Sequence, residues 1–200
     1  LLNPFDSMRY LLLNKYSFLL KLNIVLLLHT SQVWANRSPL SEEVRAMLES
    51  ERIDAPKVEL AAADFEGILL NGQPFRLSDQ KGKVVFLNFW ATWCSPCLKE
   101  MPDMQELQKE LGSKILVLAV GMGEEAKRIE KFQKKHQFEF QILPDPEMTV
   151  TQLYGVRNIP ITYLVNTSGI VVGRALGPRE WTRPKLLEFF ENLASEQPNP

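Results

Sequence analysis

The feature that most restricts this chain is a run of apolar residues, Val84-Val-Phe-Leu-Asn-Phe-Trp90, interrupted only by Asn88. Its β-branched and aromatic weight, without polar alternation, predicts a strand covered on both faces, as in the middle of a sheet. Beyond it Leu98, Met101, Met104, Leu107 and Leu111 recur at helical spacing up to the stop at Gly112. A buried strand therefore runs almost directly into an amphipathic helix. The only two cysteines in 200 residues, Cys94 and Cys97, fall at that junction. Cys94 is predicted at the helix start and exposed, Cys97 about one turn inside and shielded. Pro96 suits a first turn, where its missing N–H is not needed, whereas Pro102 lies in the helix body and predicts a kink.

Two cysteines separated by two residues can close a small disulfide ring. At a helix N-terminus that ring opens reversibly, because the helix dipole stabilises a thiolate. The expectation is a redox dithiol in which Cys94 is the nucleophile and Cys97 the resolving thiol that attacks a mixed disulfide. Taken alone, the spacing also suits half of a zinc site or a structural disulfide. Zinc needs about four ligands, and beyond the cysteines only His29 and His136 are offered. A loop this short constrains the unfolded chain little, which weakens the structural reading. No metal and no bound cofactor is expected, and no phosphate-cradling glycine loop or Ser/His/Asp set stands out.

The segment Phe86-Leu-Asn-Phe-Trp-Ala-Thr-Trp-Cys-Ser-Pro-Cys-Leu-Lys-Glu-Met-Pro102, with Gly155-Val-Arg-Asn-Ile-Pro-Ile-Thr-Tyr-Leu-Val-Asn-Thr-Ser-Gly169 downstream, resembles the thioredoxin fold. More closely, it is similar to the extracytoplasmic TlpA/ResA/CcmG-type thiol-disulfide oxidoreductases of the AhpC/TSA-redoxin superfamily, over roughly residues 56 to 195. The resemblance implies an α/β three-layer sandwich with a central mixed sheet, an N-terminal hairpin and a helix–strand insertion. It implies catalysis by Cys94 and Cys97, and a cis Pro160 facing them whose neighbouring backbone receives the substrate chain. The bare sequence leaves Pro160 open as an ordinary strand opener. Ile159 before it matches reducing thioredoxins. Trp93, Ser95 and Pro96 are expected to support the site, Trp93 as partner surface, while Trp90 reads as core. Asn88 stands where cytosolic thioredoxins carry a buried aspartate, and Glu100 matches a glutamate common in the closer family. Glu100 is read either as a group that tunes or relays protons for the thiols, or as a solvated carboxylate like Glu106 and Glu110.

The implied function is reduction of exported protein disulfides, including those of apocytochromes c, with recharging by a membrane electron donor of thiol-disulfide type. The rivals are a disulfide oxidant or isomerase, a peroxiredoxin-like peroxidase and a non-catalytic binding module. The peroxidase fits poorly, because Thr92 lies two residues before Cys94 where peroxiredoxins place threonine three before.

Residues 1–35 read as an address. Arg9, Lys15 and Lys21 flank a path to Leu22-Asn-Ile-Val-Leu-Leu-Leu28, and Val33-Trp-Ala35 offers small residues for cleavage after Ala35. Met8 is the expected initiator. Tyr10 to Leu28 retained as an uncleaved anchor is the alternative, giving a membrane tether. Either way the expected location is periplasmic or otherwise extracytoplasmic. Residues 36–200 hold 20 basic and 23 acidic side chains, a balance that recommends neither nucleic acid nor an anionic membrane as partner.

The remaining chain is long enough for one core. Residues 36–55 form an N-terminal helical extension, with Leu40, Val44, Met47 and Leu48 at helical spacing up to Arg52. Residues 56–195 are expected to be the thioredoxin-like domain and 196–200 a disordered tail. Within the domain, Asn71-Gly72 marks a hairpin over residues 65–77. Strands are expected at 115–120, 140–143, 161–165 and 170–175, and helices at 124–136, 150–154 and 183–193, the last capped by Thr182. Lys127, Arg128, Lys131, Lys134 and Lys135 read as a solvated face or a docking patch, and Asn36 and Asn166 open glycosylation sequons.

Overall fold

The computed structural model describes residues 40–196. The address segment, its cleavage site, the Asn36 sequon and residues 197–200 lie outside the described residues. From Ser41, whose Oγ accepts a hydrogen bond from Val44 N, the chain enters helix α1 (Glu42–Ser50), with Glu42 and Glu43 favourably placed in its first turn. A short strand β1 (Ile53–Asp54) follows, and then the expected hairpin, β2 (Glu66–Ile68) and β3 (Pro74–Arg76). Its turn is closed by Gly72 at φ +84°, a conformation that favours glycine, and by Asn71 Oδ1 accepting from Gln73 N. A 3-10 turn (Leu77–Gln80) leads to β4 (Val84–Trp90) and helix α2 (Ser95–Leu111). Strand β5 (Ile115–Met122), α3 (Ala126–His136), β6 (Gln141–Asp145), α4 (Thr149–Leu153), β7 (Ile161–Val165), β8 (Val171–Leu176) and α5 (Pro184–Ser195) complete the order.

Six strands form one mixed sheet in the order β1-β8-β7-β4-β5-β6, and the β2–β3 hairpin forms a second, two-stranded sheet. All seven residues of β4 are buried, as the unalternating run predicts. β4 is parallel to β5, with Trp90 opposite Gly121, and antiparallel to β7, with Phe89 opposite Ile161. Its side chains divide between two cores. Val84, Phe86 and Trp90 pack with α1, α2, α3 and α5, in a cluster that holds Met101, Met104, Leu107, Trp181 and Phe190. Val85, Leu87 and Phe89 pack with the hairpin, the 3-10 turn and α4. The architecture is therefore the expected three-layer α/β arrangement, with α3 and β6 as the helix–strand insertion. Each fully buried large side chain contributes about 1.5–3 kcal/mol of transfer free energy.

Two local expectations are corrected. α3 starts at Ala126 rather than Glu124, because the Glu124 carboxylate is drawn back to the Thr92 loop. Thr182 does not cap α5: Arg183 holds the cap position without a side-chain bond, and Thr182 Oγ1 instead lies 3.5 Å from Asp103 Oδ1. The sequon asparagine Asn166 is buried, and its Oδ1 accepts from Ser168 N and Ile170 N to hold a turn.

Candidate functional site

The end of β4 delivers the chain to the start of α2 with Cys94 as the cap residue. Cys94 N donates to Ala91 O, and Cys97 N donates to Cys94 Sγ at 3.3 Å. The two cysteines are joined as a disulfide with their Cα atoms 5.3 Å apart. The Cys97 N–H directed at Cys94 Sγ, at a helix N-terminus, is an arrangement that stabilises a thiolate there when the ring opens. The expected contrast in exposure is much reduced. Cys94 is 4 % exposed and Cys97 1 %, because capping the helix turns the Cys94 sulfur inward toward the first turn. Ser95 and Pro96 are exposed in that turn, and Trp93 stands 61 % exposed beside it. Trp90 is wholly buried in the core.

The Ile159–Pro160 peptide is cis. Pro160 is buried, Ile159 half-buried, and Pro160 O accepts from Gly177 N at 2.9 Å. Because Ile161 pairs with Phe89, Pro160 comes to the same end of the sheet as the turn carrying the cysteines.

Behind the disulfide lies a buried polar chain. Glu100, one turn beyond Cys97 on the same buried face of α2, is 2 % exposed. Its Oε1 accepts from Asn88 Nδ2 at 2.9 Å, and its Oε2 accepts from Trp181 Nε1 at 3.0 Å and Arg179 N at 3.3 Å. Asn88 Nδ2 also donates to Thr162 Oγ1 at 3.0 Å. The solvated reading of Glu100 is therefore overturned. Burial is the dominant influence on this carboxyl and pushes its pKa up to about 7, against the lowering effect of the Trp181, Asn88 and Arg179 hydrogen bonds. A carboxyl titrating near neutrality can hold or accept a proton at working pH.

A second carboxylate fixes the loop before Cys94. Glu124 is 3 % exposed. Its Oε2 accepts from Thr92 N and its Oε1 from Thr92 Oγ1, both at 2.6 Å, while Arg128 Nε approaches Oε1 at 2.8 Å and also donates to Thr92 Oγ1. Arg128 thus has a specific task, whereas Lys127, Lys131, Lys134 and Lys135 remain exposed. Sequence reasoning missed Glu124, Arg179 and Trp181. Each reaches the site from more than 30 residues away in sequence, and no local motif marks them. Among the described residues no group of three or more His, Cys, Asp or Glu side chains suits a metal ion. His136 instead stacks on Phe132 at 4.2 Å between ring centroids.

Comparison with known proteins gives this geometry its context. The model of the AhpC/TSA family matches residues 58–174. The chain belongs to the AhpC/TSA family. Within the family it is 42 % identical over 118 residues to the thiol-disulfide oxidoreductase ResA of Geobacillus thermodenitrificans, a match spanning 58 % of this chain and 68 % of that protein. Against ResA of Bacillus subtilis the identity is 40 % over 124 residues, spanning 62 % and 65 %. Among solved structures, the putative thiol:disulfide interchange protein DsbE of Chlorobium tepidum superposes with a TM-score of 0.58 at 32 % identity, covering 68 % of this chain and 93 % of its own. The pneumococcal exposed lipoprotein thioredoxin of Streptococcus pneumoniae gives 0.57 at 35 % identity, covering 66 % and 100 %. This AhpC/TSA member is a ResA-like thiol-disulfide oxidoreductase with a thioredoxin-like fold.

Proposed function

We propose that this oxidoreductase works outside the cytoplasm as a reductant of protein disulfides, with Cys94 as nucleophile and Cys97 as resolving thiol. The observation that carries the reading is the cysteine pair at the N-terminus of α2 with the buried Glu100 carboxyl one turn behind it. In the reduced protein the Cys94 thiolate attacks one sulfur of a client disulfide. A Cys94–client bond forms, the client S–S bond breaks, and the departing client sulfur takes up a proton. Cys97 then gives its proton to Glu100, and its thiolate attacks Cys94 Sγ. The client's second sulfur leaves as a thiolate and is protonated, so the client has gained two electrons and the protein holds the Cys94–Cys97 disulfide. A dithiol donor at the membrane restores the reduced pair.

Trp93 and the Ile159–Pro160 backbone form the surface that receives the client, with Ser95 and Pro96 completing the exposed turn. Residues 1–35 direct export, by cleavage after Ala35 or as a retained tether, residues 36–55 are an appended extension and 56–195 the redox domain. Among the described residues no helix is long and apolar enough to cross a membrane. Apocytochromes c are one class of exported client with paired cysteines that such a reductant serves. The test is catalysed reduction of an insulin-type disulfide by the purified protein. Turnover is expected in the wild type and loss to the uncatalysed rate in Cys94→Ser, whereas equal slow rates in both leave only a binding module.

A further inference from the structure

The seven residues between β8 and α5, Gly177 to Arg183, touch the buried carboxyl on one side and the N-terminal extension on the other. Toward the redox helix, Arg179 N and Trp181 Nε1 donate to Glu100 Oε2, and Trp181 N donates to Asp103 Oδ2 at 2.9 Å. Trp181 is fully buried, edge-on to Phe86 with ring centroids 4.6 Å apart, so its indole cannot wander from the carboxyl. Toward the extension, Arg179 Nη1 donates to the carbonyls of Glu51 at 2.8 Å and Arg52 at 3.1 Å, and Nη2 donates back to Leu176 O at 2.9 Å. Arg183 Nη1 reinforces the link at 3.2 Å from Glu51 Oε2. The guanidinium also lies over the Trp181 ring, 5.1 Å from its centroid.

The extension bends to make these contacts. Arg52 sits at φ +58°, a left-handed conformation that a side chain with a Cβ disfavours, and its carbonyl is one of the acceptors. A polar cavity of about 610 Å³ lies where these elements meet, bordered by Arg52, Lys99, Glu100, Asp103, Arg179 and Glu180. None of these contacts is required simply to hold two cysteines at a helix end.

We propose that Arg179 is a positioning residue which couples the N-terminal extension to Glu100, so that the seating of α1 and Arg52 sets how readily Glu100 exchanges its proton with the cysteine pair. The planar guanidinium is suited to the task, because its donors are fixed in one fork and can hold carbonyls of two chain segments at once. With the fork seated, Arg179's own N–H is held against Oε2. When the fork is lost, Glu100 loses that donor and a nearby cation while staying buried. The inference rests on the reading of Glu100 as the group that takes the Cys97 proton.

The charged and titratable groups around Glu100 all enter the expected effect. They are Lys99 and Asp103 on its own helix, Glu51 and Arg52 from the end of α1, Arg179, Glu180 and Arg183 from the loop, and the two thiols. Asn88 and Thr162 supply the neutral contacts from the sheet. Removing Arg179 subtracts a cation from this set and leaves Glu51, Asp103 and Glu180 in place, so the carboxyl's ionised form is disfavoured further.

The experiment is the pH dependence of thiol alkylation by iodoacetamide in the full-length reduced protein, for wild type, Glu100→Gln, Arg179→Ala and Arg179→Lys. The wild type is expected to show an inflection near pH 7 that Glu100→Gln removes. Arg179→Ala is expected to move it upward by about one pH unit, a tenfold change in the proton equilibrium. Arg179→Lys keeps the charge but not the fork and is expected between the two. If Glu100→Gln removes the inflection while Arg179→Ala leaves it unmoved, the coupling is refuted and the reading of Glu100 survives. If Glu100→Gln leaves the inflection in place, the reading beneath the proposal fails as well. Should Arg179→Ala not fold, as thermal melting would reveal, Arg179→Lys decides alone: an upward shift supports the coupling and a wild-type profile overturns it.

Discussion

At the scale of single residues, the proposed mechanism divides the work between electrons, carried by the cysteine pair, and protons, carried by Glu100. Cys94 and Cys97 were legible because their spacing and their place after an apolar strand are local properties. The environment of Glu100 was not. Its position one turn after Cys97 could be counted, but the groups that bury and hold it, Trp181 and Arg179, come from 81 and 79 residues away. That environment makes a prediction about stability. The folded pKa is raised above the ordinary glutamate value of 4.5 to about 7, so between these values the native protein holds a proton that the unfolded chain releases. The stabilising contribution is complete below about pH 4.5 and is lost as pH rises through about 7, with a full amplitude of order 3 kcal/mol. Urea unfolding of the oxidised wild type and Glu100→Gln should therefore show the wild type losing stability relative to the variant between pH 4.5 and 8. A difference that stays constant over this range contradicts the raised pKa.

At the scale of elements, strands and helices with strong periodicity were read from sequence nearly to their ends, and the misreadings cluster where tertiary contacts intervene. The pattern from Glu124 to His136 is helical in sequence, yet Glu124 serves as an acceptor for the Thr92 loop and the helix waits until Ala126. Thr182 looks like a cap, but its hydroxyl faces Asp103 while Arg183 occupies the cap position. Capping propensity is a local preference of modest size, and a better-placed partner on another element overrides it. The Glu124 clamp ties the start of α3 to the turn that leads into Cys94. Its removal in Glu124→Ala leaves Thr92 N and the Thr92 hydroxyl without their acceptor, at a cost of about 1–3 kcal/mol. Glu124→Gln, which retains a carbonyl oxygen, should cost less. Urea midpoints of the two variants check this order, and equal loss in both would show that the acceptor oxygen is not what holds the loop.

At the scale of the molecule, the sheet brings together parts that sequence distance keeps apart. β4 supplies the cysteine turn and Asn88, β7 brings Pro160 and Thr162 alongside, and the β8–α5 loop folds across α2 to Glu100. The three-layer class was legible because alternating strand and helix patterns leave few ways to cover a central sheet. The extension's part was not: β1 pairs with β8 through Ile53 opposite Ala175 and Asp54 opposite Arg174, a two-residue strand with no alternation to read. These parts together bear on the direction of electron flow. The N-terminus of α2 favours a thiolate on Cys94, while a buried carboxyl behind Cys97 disfavours a second negative charge nearby, so the reduced pair is not over-stabilised. That is the condition for a low reduction potential. The measurement that tests the account most directly is the reduction potential of the Cys94/Cys97 pair, obtained by equilibrating the full-length protein against a graded dithiol buffer. A value close to thioredoxin's, about −270 mV, is predicted for a reductant, and one in the range of about −120 to −180 mV, typical of oxidants and isomerases, would contradict it.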